Sequence, residues 1–305
     1  MTVRRREEIA DLIVEDDLHG SGDRVARRRH ESRRCWLRNY GRMQEPQRFR
    51  DGARLEAVVL DVDGTLVDSE RDGHRVAFNR AFEEAGLADR WDVERYGELL
   101  TVTGGERRLD AYFQEQGMPA DERQPLASSL HRRKTELFTE IASQGEIEPR
   151  RGVPEFLDEL AGAGVRLAVA TTGSRRWVDP LLERLFGLER FEAIIGSEEA
   201  PERKPDPSAY ELALKRLSLS APAAPAVEDS NNGLRAAKAA GLACVIVTND
   251  YSREQDFGDA DLVLDGFGDS ESRASVLADP HRLEPPGRLD VDTLRRLVAA
   301  GPSAR

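Results

Sequence analysis

The stretch Ala57-Val58-Val59-Leu60-Asp61-Val62-Asp63-Gly64-Thr65-Leu66 decides how this chain is read. A β-branched apolar run that ends in carboxylates is a buried strand whose carboxyl tip carries polar chemistry. Residues two apart on extended backbone share a side, so Asp61 and Asp63 start out together, and Gly64 lets the chain turn sharply away. Carboxylates that close repel each other unless a cation lies between them or one of them keeps a proton. The tip is therefore a metal site, an acid–base pair, or both.

Downstream of that strand the periodicity changes twice. Apolar spacing predicts helices at 74–85, 93–100, 107–116 and 126–141, with no strand among them. From about residue 150 helices and strands alternate: helices at 153–161, 175–185, 207–217 and 233–240, strands at 166–170, 193–195, 224–227, 243–247 and 262–264. Such alternation implies an α/β fold with a doubly wound, mostly parallel sheet, whose ligands sit beyond the carboxyl ends of the strands. The expected organisation is a core formed by 55–70 and 150–280, an inserted helical domain at 71–149, and a C-terminal extension, 281–305, with a terminal helix.

Residues 1–54 differ from the rest. They hold fourteen arginines, no lysine and ten acids, a net +4 against −16 for the remainder. With no sustained apolar periodicity, the segment is expected to be disordered or weakly structured. Its acids argue against a transit peptide, and an upstream extension without a role is favoured over a basic arm for an acidic partner.

The chain has 305 residues and a net charge of −12, with 39% apolar and 33% charged residues, which suits a soluble protein with a polar surface. The negative charge argues against non-specific nucleic-acid binding, and no apolar run approaches the ~20 residues of a membrane span. Two cysteines, Cys35 and Cys244, fit a reducing compartment without a disulfide framework, so a cytoplasmic location is expected. A monomer is the default expectation. Only four lysines occur (Lys134, Lys204, Lys215, Lys238), so each is a candidate for a specific role.

Four polar stations lie at or near strand ends: Asp61 and Asp63; Thr171 after Ala168-Val169-Ala170; Lys204 in Glu202-Arg203-Lys204-Pro205; and Glu228-Asp229-Ser230 after Ala226-Val227. In this order they resemble the four motifs of the haloacid dehalogenase superfamily, whose members mostly transfer phosphoryl groups, and the likeness covers residues 55 to about 270. It implies a Rossmann-like core with an inserted α-helical cap. It also implies a Mg2+ ion held by Asp61, the backbone carbonyl of Asp63, and Asp229, with Glu228 nearby. The chemistry follows from what a phosphate ester needs, a cation and a positioned attacker. Asp61 would attack phosphorus, Asp63 would exchange the proton, Lys204 would neutralise developing charge, and Thr171 would hydrogen-bond a phosphoryl oxygen.

A narrower likeness comes from the insert. Ser69 to Asn79, Thr103-Gly104-Gly105-Glu106-Arg107-Arg108, Trp91-Asp92 with Tyr96, and His131 to Glu136 resemble the CbbY-type phosphatases. That resemblance implies a small phosphosugar substrate, xylulose-1,5-bisphosphate, a by-product that inhibits Rubisco; β-phosphoglucomutase-like mutases and phosphoglycolate-type phosphatases are the alternative. A bisphosphate needs a second cationic pocket, for which Arg108 and Lys134 are the candidates, with Arg107 as a rival. Glu70, His74 and Tyr96 are expected at the sugar hydroxyls, and Thr172 and Ser174 are further substrate-binding candidates. Two departures stand out: Glu106, where the family pattern has lysine, and Gly173, in what is usually a threonine-rich run.

Overall fold

The structure, a computed structural model, describes residues 54–301 apart from 103 and 201. The expectation for the Arg-rich segment concerns residues almost wholly outside that range. Strand β1 (Ala57–Leu60) is buried along its length. It lies inside a seven-stranded sheet of order β3-β2-β1-β4-β5-β6-β7. Its partners are β2 (Arg166–Ala170), in register from Ala57 opposite Arg166 to Leu60 opposite Val169, and β4 (Ala226–Glu228). β3 (Phe191–Ile195), β5 (Cys244–Val247) and β6 (Leu262–Leu264) extend the parallel ladder. The mostly parallel, doubly wound α/β architecture is as expected.

Both faces of β1 are covered, which is why it is apolar without alternation. Val58 and Leu60 face the core built from α5 (Val153–Gly162), α6 (Arg175–Phe186) and α9 (Val291–Ala300). Ala57 and Val59 face α7 (Ser208–Leu217) and α8 (Asn231–Ala239), a layer rich in alanine. Ser174, Ser230 and Asp290 cap α6, α8 and α9 by accepting from the backbone N–H of Arg176, Gly233 and Thr293.

Between β1 and α5 the chain is helical. A single π-turn (Ser69–His74) runs into α1 (Arg75–Glu84), followed by α2 (Val93–Leu99), α3 (Gly105–Glu115) and α4 (Ala120–Gln144). α4 starts earlier than its apolar spacing suggests and carries Pro125 within it. Phe78, Phe82, Trp91, Tyr112 and Phe113 give the insert an aromatic centre.

The two passages between insert and core lie side by side. Val67 bridges to Pro149, and Arg150 N donates to Leu66 O at 2.9 Å. The buried Arg150 guanidinium donates to the carbonyls of Gly64, Val247 (3.1 Å) and Thr248 (2.6 Å) and pairs with Asp68 at 3.5 Å. One side chain thus ties the turn after β1, the end of β5 and the first passage together.

The sequence reading misses β7 (Val276–Ala278), which pairs antiparallel with β6. Its side chains are all exposed, so backbone pairing holds it and no burial pattern announces it. Leu283, Leu289 and Leu294 are buried in the core, so the C-terminal segment through α9 packs as an integral layer. No helix among the described residues is long and apolar enough to cross a membrane.

Candidate active site

The carboxyl ends of β1, β2 and β4 converge where the strand order reverses, and the polar stations meet there. Oxygens of Asp61, Glu228 and Asp229, all buried, lie within 4.8 Å of one another. Lys204 Nζ sits among them, donating to Asp61 Oδ1 at 2.6 Å, to Ala170 O at 2.9 Å and to Glu228 Oε1. Glu228 is fully engaged: Tyr210 Oη donates to Oε1 at 2.7 Å, and Oε2 accepts from Asp229 N at 3.1 Å and Ser230 Oγ at 3.2 Å. Asp229 Oδ2 accepts from Asn249 Nδ2 at 2.7 Å, and that amide also donates to Gly64 O at 3.1 Å.

Gly64 is required twice over. Its φ of +83° lies in the left-handed region, and a Cβ there would come within 2.5 Å of Asp229 Oδ2. Asp63 accepts from Ser69 Oγ, and Thr171 Oγ1 lies 3.5 Å from its other oxygen. Thr171 Oγ1 also accepts from Gly173 N at 3.0 Å, which fixes the loop after β2.

The charge balance is incomplete. Burial, with Glu228 and Asp63 adding to it against Lys204, raises the Asp61 carboxyl to about 8. Burial, then Glu228 and Asp61, push Asp229 well above its ordinary value. Burial also raises Asp63 to about 6, against the Ser69 hydrogen bond. Burial opposes the Lys204 charge, but Asp61 and Glu228 outweigh it and keep the ammonium protonated. One lysine among three clustered carboxylates leaves room for a divalent cation, and oxygen donors in a rigid cup suit a hard one.

A second cluster faces this rim from the insert. Tyr96 Oη donates to Glu70 Oε2 at 2.5 Å and accepts from Arg108 Nη1 at 3.0 Å, while Arg108 Nε holds Leu99 O at 3.1 Å. Lys134 Nζ donates to His74 Nδ1 at 2.7 Å and lies over the rings of Phe78 and Phe138. Burial first, then Lys134 and Arg108, hold His74 well below its usual value, so the ring is a neutral acceptor. Burial lowers Lys134 to about 8, with Glu70, Arg108 and Asp63 as the charges it senses. Asp63 in turn senses Glu70 and Lys134, so the two clusters share one space.

Asp61, Asp63, Thr171, Lys204, Glu228 and Asp229 thus meet on the rim, and Glu70, His74, Tyr96, Arg108 and Lys134 meet on the insert. Thr172 is half-buried on the loop after β2. Ser174 is committed elsewhere, capping α6 and donating to Glu198 at 2.6 Å. Glu106 and Arg107 are exposed beside a groove of about 340 Å³ shared with Gly105, Asp110 and His131, a groove that includes none of the rim carboxylates. Gly173 has a steric explanation: a Cβ there would strike the Trp177 ring, which packs at 5.1 Å on Phe138 of the insert. Sequence reasoning missed Ser69, Tyr210, Arg150 and Asn249. Only Asn249 carried a signal, as a polar residue just past β5 like the other stations.

A model of haloacid dehalogenase-like hydrolases matches residues 55–241, which contain this whole rim. The chain belongs to the haloacid dehalogenase-like hydrolase family. It is 44% identical over 219 residues to the protein CbbY of Cereibacter sphaeroides, covering 70% of this chain and 94% of the relative. It is 32% identical over 254 residues to a phosphoglycolate phosphatase of Pseudomonas savastanoi, covering 79% of this chain and 82% of that one. Among solved structures it is similar to a Rhodobacter sphaeroides CbbY variant in complex with xylulose-1,5-bisphosphate, at 42% identity and a TM-score of 0.58, covering 70% of this chain and 94% of that one. With the hydrolase rim intact, this member of the family is a phosphatase.

Proposed function

We propose that this hydrolase removes a phosphate from a sugar bisphosphate, xylulose-1,5-bisphosphate, with Mg2+ and through an aspartyl phosphate. The observation that carries the reading is that buried cationic side chains of both the rim and the insert act on Asp63. Lys204 serves the phosphoryl group under attack, and Arg108 with Lys134 serves the far phosphate. The CbbY variant in complex with this sugar supports the same choice.

Asp61, the carbonyl of Asp63, and Asp229 would hold the ion, with Glu228 anchoring Lys204 and the Asp229 backbone beside it. Bound there, the ion would offset the clustered negative charge and polarise the phosphoryl oxygens. Asp61 attacks phosphorus, the ester P–O bond breaks, and its electron pair leaves on the sugar oxygen, which takes the proton of Asp63. Asp63 then accepts a proton from water as that oxygen attacks phosphorus. The bond to Asp61 breaks, inorganic phosphate leaves, and the carboxylate is restored. Lys204 keeps Asp61 oriented and offsets charge on the equatorial oxygens, and Thr171 donates to one of them.

The helical insert acts as a cap that opens to admit substrate, with hinges near 68–72 and 143–152, where Arg150 clasps both passages. Phosphate release from a panel of xylulose-1,5-bisphosphate, β-glucose 1-phosphate and phosphoglycolate tests the reading. Preferred turnover of the first is expected; turnover of either other ester alone discards it in favour of a mutase-like or phosphoglycolate-type activity.

A further inference from the structure

Tyr251 lies on the loop after β5, on the core, yet it reaches across to the insert. Its ring meets Tyr96 edge to face at 5.8 Å, and α2 accommodates it at Gly97, where a Cβ would lie 3.1 Å from the Tyr251 ring. Its hydroxyl oxygen is buried and has no hydrogen-bond partner among the described residues. It is within electrostatic reach of Glu70 and Arg75, and burial raises the phenol to about 12, so it stays protonated. A buried hydroxyl left without a partner is costly, on the order of 1–3 kcal/mol, so the place suits a ligand that accepts from it.

The same loop is keyed to the rim. Asn249 Oδ1 accepts from Tyr251 N at 2.9 Å and from Ser252 N at 3.1 Å, which shapes the turn that presents the phenol. The other end of that amide donates to Asp229 and Gly64. One side chain thus joins a carboxylate of the metal cup to the residue that meets the insert.

We propose that Tyr251 is a substrate-positioning residue whose O–H donates to a hydroxyl of the phosphosugar carbon chain in the closed site, and that Asn249 couples this contact to the Asp229 side. The proposal rests on the sugar-phosphate reading above and adds a residue from the core to the sugar-binding group.

Tyr251→Phe keeps the ring against Tyr96 and removes only the oxygen. With xylulose-1,5-bisphosphate, KM is expected to rise about tenfold with kcat within about twofold, while p-nitrophenyl phosphate, which has no sugar hydroxyl, is cleaved as before. In an Asp61→Asn background, calorimetric affinity for xylulose-1,5-bisphosphate should fall about tenfold on adding Tyr251→Phe. Unchanged KM and affinity, or equal losses on both esters, overturn the proposal. Additive effects of Asn249→Ala and Tyr251→Phe overturn the coupling clause, because coupled residues give non-additive ones. If the wild type cleaves p-nitrophenyl phosphate but neither binds nor cleaves xylulose-1,5-bisphosphate, the choice of sugar fails. The Tyr251→Phe comparison on whichever other phosphosugar is cleaved then decides Tyr251, and cleavage of none overturns both.

Discussion

The rim of the core and the inner face of the insert both bury charge, but they balance it differently. On the rim, Lys204 answers to three carboxyl groups, and once they ionise the excess is negative. On the insert, Arg108 and Lys134 answer to one carboxylate, Glu70, through Tyr96 and alongside a neutral His74, and the excess is positive. A surplus of buried negative charge calls for a cation, and a surplus of buried positive charge calls for an anion. A metal-bound phosphate ester carrying a second phosphate supplies both. On the proposed reading, the rim does chemistry on any phosphoryl group, and the insert selects which molecule brings it.

The sharpest way to break that division is Asp61→Asn, which removes the proposed attacker while keeping the shape. Phosphate release should fall on the order of 10⁴-fold or more for every ester, with little change in Tm. Residual turnover within tenfold of wild type would sink the covalent route. Lys204→Met should cut kcat/KM by about 10²–10³-fold. It also strands buried carboxylates, at a cost of about 3–5 kcal/mol visible in chemical denaturation. Lys134→Met should act on selection instead, raising KM for the bisphosphate by about 10–100-fold while a monophosphate ester is nearly unaffected. Equal losses on both esters would erase the distinction between rim and insert.

Mg2+ tests the rim alone. Asp61 is raised by burial, Glu228 and Asp63, and Asp229 by burial, Glu228 and Asp61, so between 3.8, the ordinary carboxyl value, and about 8 the folded metal-free chain holds protons that the unfolded chain has released. Stability without metal is thus fully present at low pH and falls as pH rises through that window. A metal bound there would displace those protons, so its stabilising effect should grow with pH. The Tm gain on adding Mg2+ to chelator-treated protein should be larger at pH 8 than at pH 5.5, and the reverse order would contradict this charge balance. The smallest effect belongs to Ser69→Ala. Ser69 donates to Asp63 and favours its ionised form, so its loss raises the Asp63 pKa above about 6. If Asp63 gives its proton to the leaving oxygen as proposed, the alkaline limb of kcat/KM should move up by about 0.4–1 pH unit.

The amino-acid order alone determined the sheet and its four polar stations. Strands such as Ala57–Leu60 and Arg166–Ala170 are covered on both faces, and apolar runs with carboxylate, threonine or lysine at their ends carry that state in one dimension. Motif order then located Asp61, Thr171, Lys204 and Asp229 without coordinates. The tertiary structure alone decided the partners that act across long separations. Arg150 closes on Gly64 and Thr248, Tyr210 on Glu228, and Asn249 with Tyr251 spans rim and insert. It also decided the fate of β7, whose exposed side chains leave no periodic trace. Periodicity records which face of an element is buried, because burial repeats along the chain. A single hydrogen bond between distant residues does not repeat, and only the folded geometry brings its two ends together.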